Sequence, residues 1–284
     1  MGRLHARRAP PRRRARLRRP SGGGDRVSDR PVALVTGASG GIGLELARCA
    51  AADGHDLVLV ARRADALEAA AGELASRYRV AAQTIVEDLE DPAAVGRIGA
   101  RLERPVDVLV NNAGFGIWRA FGATDPAAID GMVAVNVAAL TSLARAHLPG
   151  MVERGRGGIL NVASVAGFLS GPNAAVYYAT KNYVVALSEG LAEEVRGTGV
   201  TVTALCPGPV ETGFQERAGM HETSMKSMAM MDARTCAEAG WRGFRAGRVL
   251  VVPGAGNKAL VKVPRFVPRR LMARMVAGVQ RPDA

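Results

Sequence analysis

From Pro31 onward, short runs of Val, Leu and Ile alternate with Ala-rich segments of helical period, and this alternation narrows the possible folds more than any other feature. The runs at 32–36, 57–61, 82–86, 106–110, 158–163, 200–205 and 249–252 are almost wholly apolar, as strands covered on both faces must be. Helices are expected between them, near 42–52, 65–78, 92–102, 127–148, 174–196 and 235–245. Strand and helix in one rhythm predict an α/β chain, a single doubly wound domain with a seven-stranded parallel sheet. A hydrophobic share of 48% with 34 glycines argues against wholesale disorder. No uninterrupted apolar run reaches the roughly 18 residues of a membrane-spanning helix, so no transmembrane segment is expected. Cys49, Cys206 and Cys236 are odd in number, widely spaced and without a CxxC pair, which suggests no disulfide framework, no metal site and a reducing cytoplasm.

The net charge of +12 is unevenly spread: residues 1 to 26 hold ten Arg and one Asp, leaving the body at only +3. The body therefore lacks the charge footprint of a nucleic-acid binder. The basic extension, taken as residues 1–30, has three prolines, a Gly triplet and no apolar period, and is expected to be a solvated tail. It admits a nucleic-acid arm, an attraction to anionic lipid, an organelle-targeting segment, or an upstream start with synthesis beginning near Val27 or Ser28. The catalytic unit is taken as 31–257, and 258–284 as a basic amphipathic terminus. There Val267, Leu271, Met275 and Val279 share one helical face, expected to dock on the domain or a neighbouring subunit, with weak membrane-surface contact as the other reading.

After the first apolar run comes TGASGGIG, Thr36 to Gly43. Gly37, Gly41 and Gly43 allow a tight turn and a close ligand, with Ser39 and Ile42 beside them, and the following helix start offers free N–H groups to a pyrophosphate. The second run ends in Ala61-Arg62, where an uncharged residue followed by Arg suits the 2′-phosphate of NADP better than the ribose hydroxyls of NAD. The fourth runs into Asn111-Asn112-Ala113-Gly114 on the same rim. Asn136 falls on the stripe of Ile129, Met132, Val133, Val137, Leu140 and Ala144, where a buried amide needs partners. Ser164 follows the fifth run, and Tyr177 stands four residues before Lys181 on one helical face. An ammonium beside a phenol is expected to favour the phenolate and lower the tyrosine pKa toward the range of acid–base work.

Taken in order, TGxxxGxG, NNAG, the helix Asn, Ser164, YxxxK and the Pro-Gly turn resemble the short-chain dehydrogenase/reductase family over about Pro31 to Pro253. The basic terminus more weakly resembles its ketoacyl reductases and hydroxysteroid dehydrogenases. The resemblance implies a Rossmann fold, an NAD(P) cofactor, and assembly as a homodimer or homotetramer. It implies Tyr177 as general acid, Lys181 on the nicotinamide ribose, Ser164 on the substrate oxygen and Asn136 holding a relay water. It further implies Asp88 near the adenine, Asn112 and Gly114 in the cofactor groove, and Pro207, Gly208 and Thr212 at the nicotinamide amide. The glycine motif carries no Lys or Arg of its own, which leaves the strength of the NADP preference open.

Between Pro209 and Asp232, Met220, Met225, Met228, Met230 and Met231 make up half of the ten methionines, suiting an adaptable apolar pocket. With Phe115, Ile117, Trp118, Phe168 and Leu169 they suggest a hydrophobic ketone, aldehyde or acyl-chain carbonyl. The expected activity is NADPH-dependent carbonyl reduction. The same site run in the oxidative direction, or a dinucleotide-binding regulator without catalysis, are its alternatives.

Overall fold

The computed structural model describes residues 29–214, 218 and 230–279. Nine strands and nine helices are labelled in chain order: β1 Val32–Thr36, α1 Gly41–Ala52, β2 Asp56–Ala61, α2 Ala64–Tyr78, β3 Ala82–Val86, α3 Ala94–Ala100 and β4 Val108–Asn111. The second half adds α4 Pro126–Val133, α5 Leu140–Glu153, β5 Gly157–Val162, α6 Ala175–Glu194, β6 Val200–Leu205, β7 Val210–Glu211 and β8 Met231–Asp232. It closes with α7 Ala233–Arg245, β9 Leu250–Val251, α8 Ala255–Leu260 and α9 Arg269–Val279. Seven strands form the one parallel sheet expected, in the order β3-β2-β1-β4-β5-β6-β9.

The alternation along β1 explains why its run is apolar from Val32 to Val35. Ala33 and Val35 join the core under α1, α2 and α7, with Leu46, Leu67 and Phe244, whereas Val32 and Leu34 face Ile98, Leu143 and Met151 on the opposite side. The chain leaves β1 toward β2 and β3, then returns to β4 on the other flank of β1. That reversal opens a crevice beyond the carboxyl ends of β1 and β4, where such sheets bind their ligands.

Two sequence expectations need correction here. The helix expected at 127–148 is α4 and α5 joined through a π-helical stretch, Ala134–Ala139. The wider turn shifts the stripe, so Val133 is 40% exposed while Val135, Asn136 and Ala139 are buried. The whole run 126–153 is also long and apolar enough to cross a membrane, although broken by polar residues that kept it from an uninterrupted count. It lies against the sheet with Leu140, Leu143, Ala144 and Met151 buried, and so serves as a core helix.

The second correction concerns α9. It does dock, but through Met272, 6% exposed, and Val276, which packs against the cluster of Tyr177 and Tyr178. Leu271 and Met275 of the expected docking face are 50% and 53% exposed. The Arg-rich extension through residue 28, and Met220, Met225 and Met228, lie outside the described residues. The two ends of the methionine segment are nevertheless tied together, because β7 and β8 pair in parallel and Met231 N donates to Pro209 O at 3.0 Å.

Candidate active site

A cleft of about 790 Å³ runs from the glycine turn to Tyr177. Thr36 stitches its floor: its hydroxyl accepts from Asn112 N and Ala113 N, both at 3.0 Å, while Asn112 Nδ2 donates to Thr36 O at 2.9 Å. Gly37 and Gly41 stand at φ of +65° and +56°, a region that strains any side chain, and a Cβ on Gly37 would lie 2.7 Å from Asn112 Nδ2. The first turn of α1 has no side-chain cap and no acidic residue, so its N–H groups are open to an anion. Ser39, Gly41, Ile42, Arg62, Asp88, Asn112 and Gly114 all line this end. Arg62 lies 3.5 Å from Asp88 and 3.1 Å from Glu90, whereas Arg63 bends back to the turn and donates to Ser39 Oγ at 3.4 Å.

At the far end, α6 presents Tyr177 and Lys181, 7% and 6% exposed, beside Ser164, which follows β5. Trp118 and Phe214 flank the Tyr177 ring, with centroids at 5.0 and 5.7 Å. Lys181 Nζ donates to Val162 O at 2.9 Å and sits 5.8 Å from the Tyr177 ring centre. Burial pushes Lys181 down to about 8, a nearby Cys206 opposing weakly. Burial also pushes the Tyr177 phenol well above its ordinary value, against a side-chain hydrogen bond with Ser164 that pulls it down. The expected lowering of the tyrosine pKa is thus overturned in this state, because desolvation dominates and the ammonium bonds a backbone carbonyl. The phenol holds its proton, ready to give it. Pro207, Gly208 and Thr212 close the wall opposite, with Thr212 Cγ2 packed over Gly41.

The model for the short chain dehydrogenase family matches residues 31–223. The chain belongs to this family. It is 40% identical to a galactitol 2-dehydrogenase (L-tagatose-forming) of Cereibacter sphaeroides over 69% of this chain and 79% of that one. Among solved structures it is similar to a short-chain dehydrogenase of Sphingobium yanoikuyae in complex with NADPH, with a TM-score of 0.74, 32% identity and coverage of 84% and 97%. It is also similar to a bulky-bulky ketone specific alcohol dehydrogenase of Comamonas testosteroni, with a TM-score of 0.72, 30% identity and coverage of 84% and 93%.

Within this short-chain dehydrogenase, two of the sequence-derived site residues stand behind the cleft wall. Gly43 does not line it; a Cβ there would lie 2.4 Å from Gly37 O, so its glycine permits the packing of α1 under the turn. Asn136 is 1% exposed, and its Nδ2 donates to Phe115 O at 2.8 Å and Thr180 Oγ1 at 3.1 Å while Oδ1 accepts from Phe115 N at 3.1 Å. The side-chain amide is thus paired with protein groups, and it fixes the backbone beside Gly114. Asn111 is structural as well, linked through Asn161 to Ser188 across β4, β5 and α6. Arg63, which sequence analysis did not single out, also lines the cleft. Its signal was present, since it directly follows Arg62 at the start of α2, but only the folded turn shows which arginine reaches Ser39.

Proposed function

We propose that the protein is an NADPH-dependent reductase of hydrophobic ketones, aldehydes or acyl-chain carbonyls. The observation that carries this reading is a buried, protonated Tyr177 set among Trp118, Tyr178 and Phe214 at one end of a cleft whose other end offers arginines and an uncapped helix start. The fit to a dinucleotide rests on the glycine turn, whose Gly37 and Gly41 hold positive φ and pack directly against Asn112 and Thr212, and on the uncapped start of α1 beside it. Gly37, Ser39, Gly41, Asp88, Asn112 and Gly114 would hold its adenosine and pyrophosphate portion, and Lys181, Pro207, Gly208 and Thr212 its nicotinamide portion. When bound, the reduced nicotinamide supplies a hydride to the carbonyl carbon.

The chain supplies the rest. Ser164 and Tyr177 hydrogen-bond the carbonyl oxygen, and Tyr177 gives its phenolic proton to the oxygen as negative charge develops there. Lys181 places positive charge near the phenolate so formed, which lowers the cost of that transfer. Asn136 acts as a positioning residue by locking Phe115 and Thr180, and Thr180 in turn donates to Tyr177 O at 2.7 Å. Arg63 with Ser39 favours a 2′-phosphate more directly than Arg62, whose guanidinium already has two carboxylates. Three unpaired thiols support a reducing, cytoplasmic setting.

The test is NADPH oxidation across lipophilic and small polar carbonyls, since the relatives act on quite different compounds. Turnover confined to small polyol-like ketones sinks the substrate reading. Tight NADPH binding with no turnover on any carbonyl moves the weight to a regulator.

A further inference from the structure

The carboxyl-terminal segment from α8 through α9 has a composition that the reaction does not use. Residues 255–279 contain six cations and no acidic residue. Lys258, Lys262, Arg265, Arg269, Arg270 and Arg274 are all exposed. No carboxylate among the described residues forms an ion pair with them. Large apolar side chains stand out between these charges: Phe266 is 84% exposed, and Leu271 and Met275, one helical turn apart, are 50% and 53% exposed. Pro264 and Pro268 bracket Phe266 and hold it outside both neighbouring helical turns. The outward apolar side chains are therefore not a fraying end, because the other face of α9 is anchored. Met272 is buried, and Val276 packs on the cluster that includes Tyr177, Tyr178, Trp118 and Phe214.

We propose that this face docks the protein on an anionic lipid surface, with the arginines and lysines among the headgroups and Phe266, Leu271 and Met275 at the acyl boundary. A bilayer surface is the occupant that uses both features at once, since basic amphipathic helices gain from apolar burial and from attraction to anionic lipid. A second copy is disfavoured because a symmetric contact would set six cations against six. A nucleic acid would pair with the cations and leave three large apolar side chains in water. Docking of this kind brings the aromatic end of the cleft close to the membrane, because α9 is shared between the two. A lipophilic carbonyl would then reach Tyr177 from the bilayer; that consequence rests on the function proposed above, whereas the docking itself does not.

The experiment is co-sedimentation of the full chain with vesicles of phosphatidylcholine alone and of an equal mixture with phosphatidylglycerol. Two double variants are compared with the parent: Arg270→Glu with Arg274→Glu, and Leu271→Ser with Met275→Ser. Thermal melts of each confirm that it folds, as all four side chains are exposed. The expected result is partition onto the mixed vesicles only, weakened by salt, and reduced at least about tenfold by either pair of substitutions. Failure of the parent chain to bind mixed vesicles overturns the proposal. So does binding that both variants retain, which would assign it to the Arg-rich residues before 29. Loss in the charge variant alone, with nucleic acid competing the parent off the vesicles, would point to a phosphate-binding face instead. Each outcome is independent of whether any carbonyl is turned over.

Discussion

At one end of the cleft, Arg62 has a side chain 58% exposed and shared between two carboxylates; at the other, Tyr177 and Lys181 are 7% and 6% exposed and meet few polar groups. The exposed end works by geometry. Water screens its charges, so recognition there depends on which guanidinium reaches which oxygen, and each contact is modest. The buried end works by dielectric, since desolvation moves a phenol and an ammonium in opposite directions and leaves both nearer neutrality. Binding selectivity and proton chemistry are thus separable along one cleft, and substitutions at the two ends should fail in different ways.

The sharpest way to break this contrast is Tyr177→Phe. The ring and its contacts with Trp118 and Phe214 are kept, and only the proton donor is lost. Turnover should fall by about 10²–10⁴-fold while NADPH affinity, measured by fluorescence titration, stays within about twofold. A variant that keeps most of its turnover removes Tyr177 as the acid. Asn136→Ala should act differently, because it strands the half-buried Phe115 backbone groups and the buried Thr180 hydroxyl. It should cost about 1–3 kcal/mol of unfolding free energy per unpaired group, read by urea denaturation, and lower turnover only in proportion to disorder around Gly114. Lost activity with unchanged stability would instead support a direct chemical role for this amide.

At the exposed end the two arginines can be set against each other. Arg63→Ala should reduce the preference for NADPH over NADH by about tenfold or more, in line with loss of one charged hydrogen bond, and Arg62→Ala by less. Equal or reversed effects would mean that Arg62 leaves Asp88 and Glu90 when the cofactor arrives. The contrast was only partly legible in the sequence. The strand rhythm, the glycine turn and the Tyr177–Lys181 spacing are local patterns, so the sheet and the ends of the cleft could be read directly. What could not be read are consequences of packing. Arg63 and Arg62 are neighbours of equal charge, and only the turn geometry selects between them. The π-helical stretch around Asn136 leaves no mark in a 3.6-residue pattern beyond one misplaced Val133. In α9 both Leu271/Met275 and Met272/Val276 are plausible apolar faces, and the cluster at Tyr177 decides which turns inward.

The smallest expected effect tests the buried end through stability alone. Below about pH 8 Lys181 is protonated in both the folded and the unfolded chain, so folding carries the full cost of burying its charge. As pH rises from about 8, the folded state releases this proton while the unfolded chain keeps it up to the ordinary lysine range. The unfolded state then binds more protons, and unfolding free energy should rise with pH through this window. The buried Cys206 and Cys236 thiols, pushed up to about 12, and the raised Tyr177 work the other way, because the folded state keeps protons the unfolded chain gives up. The quantity to follow is therefore the difference between the parent and Lys181→Met in urea unfolding at steps from pH 7 to pH 10, in which those contributions largely cancel. The parent should gain on the variant as the pH increases. A difference that does not change over this range would mean that Lys181 keeps an ordinary pKa, and that the two ends of the cleft differ in exposure but not in how they treat charge.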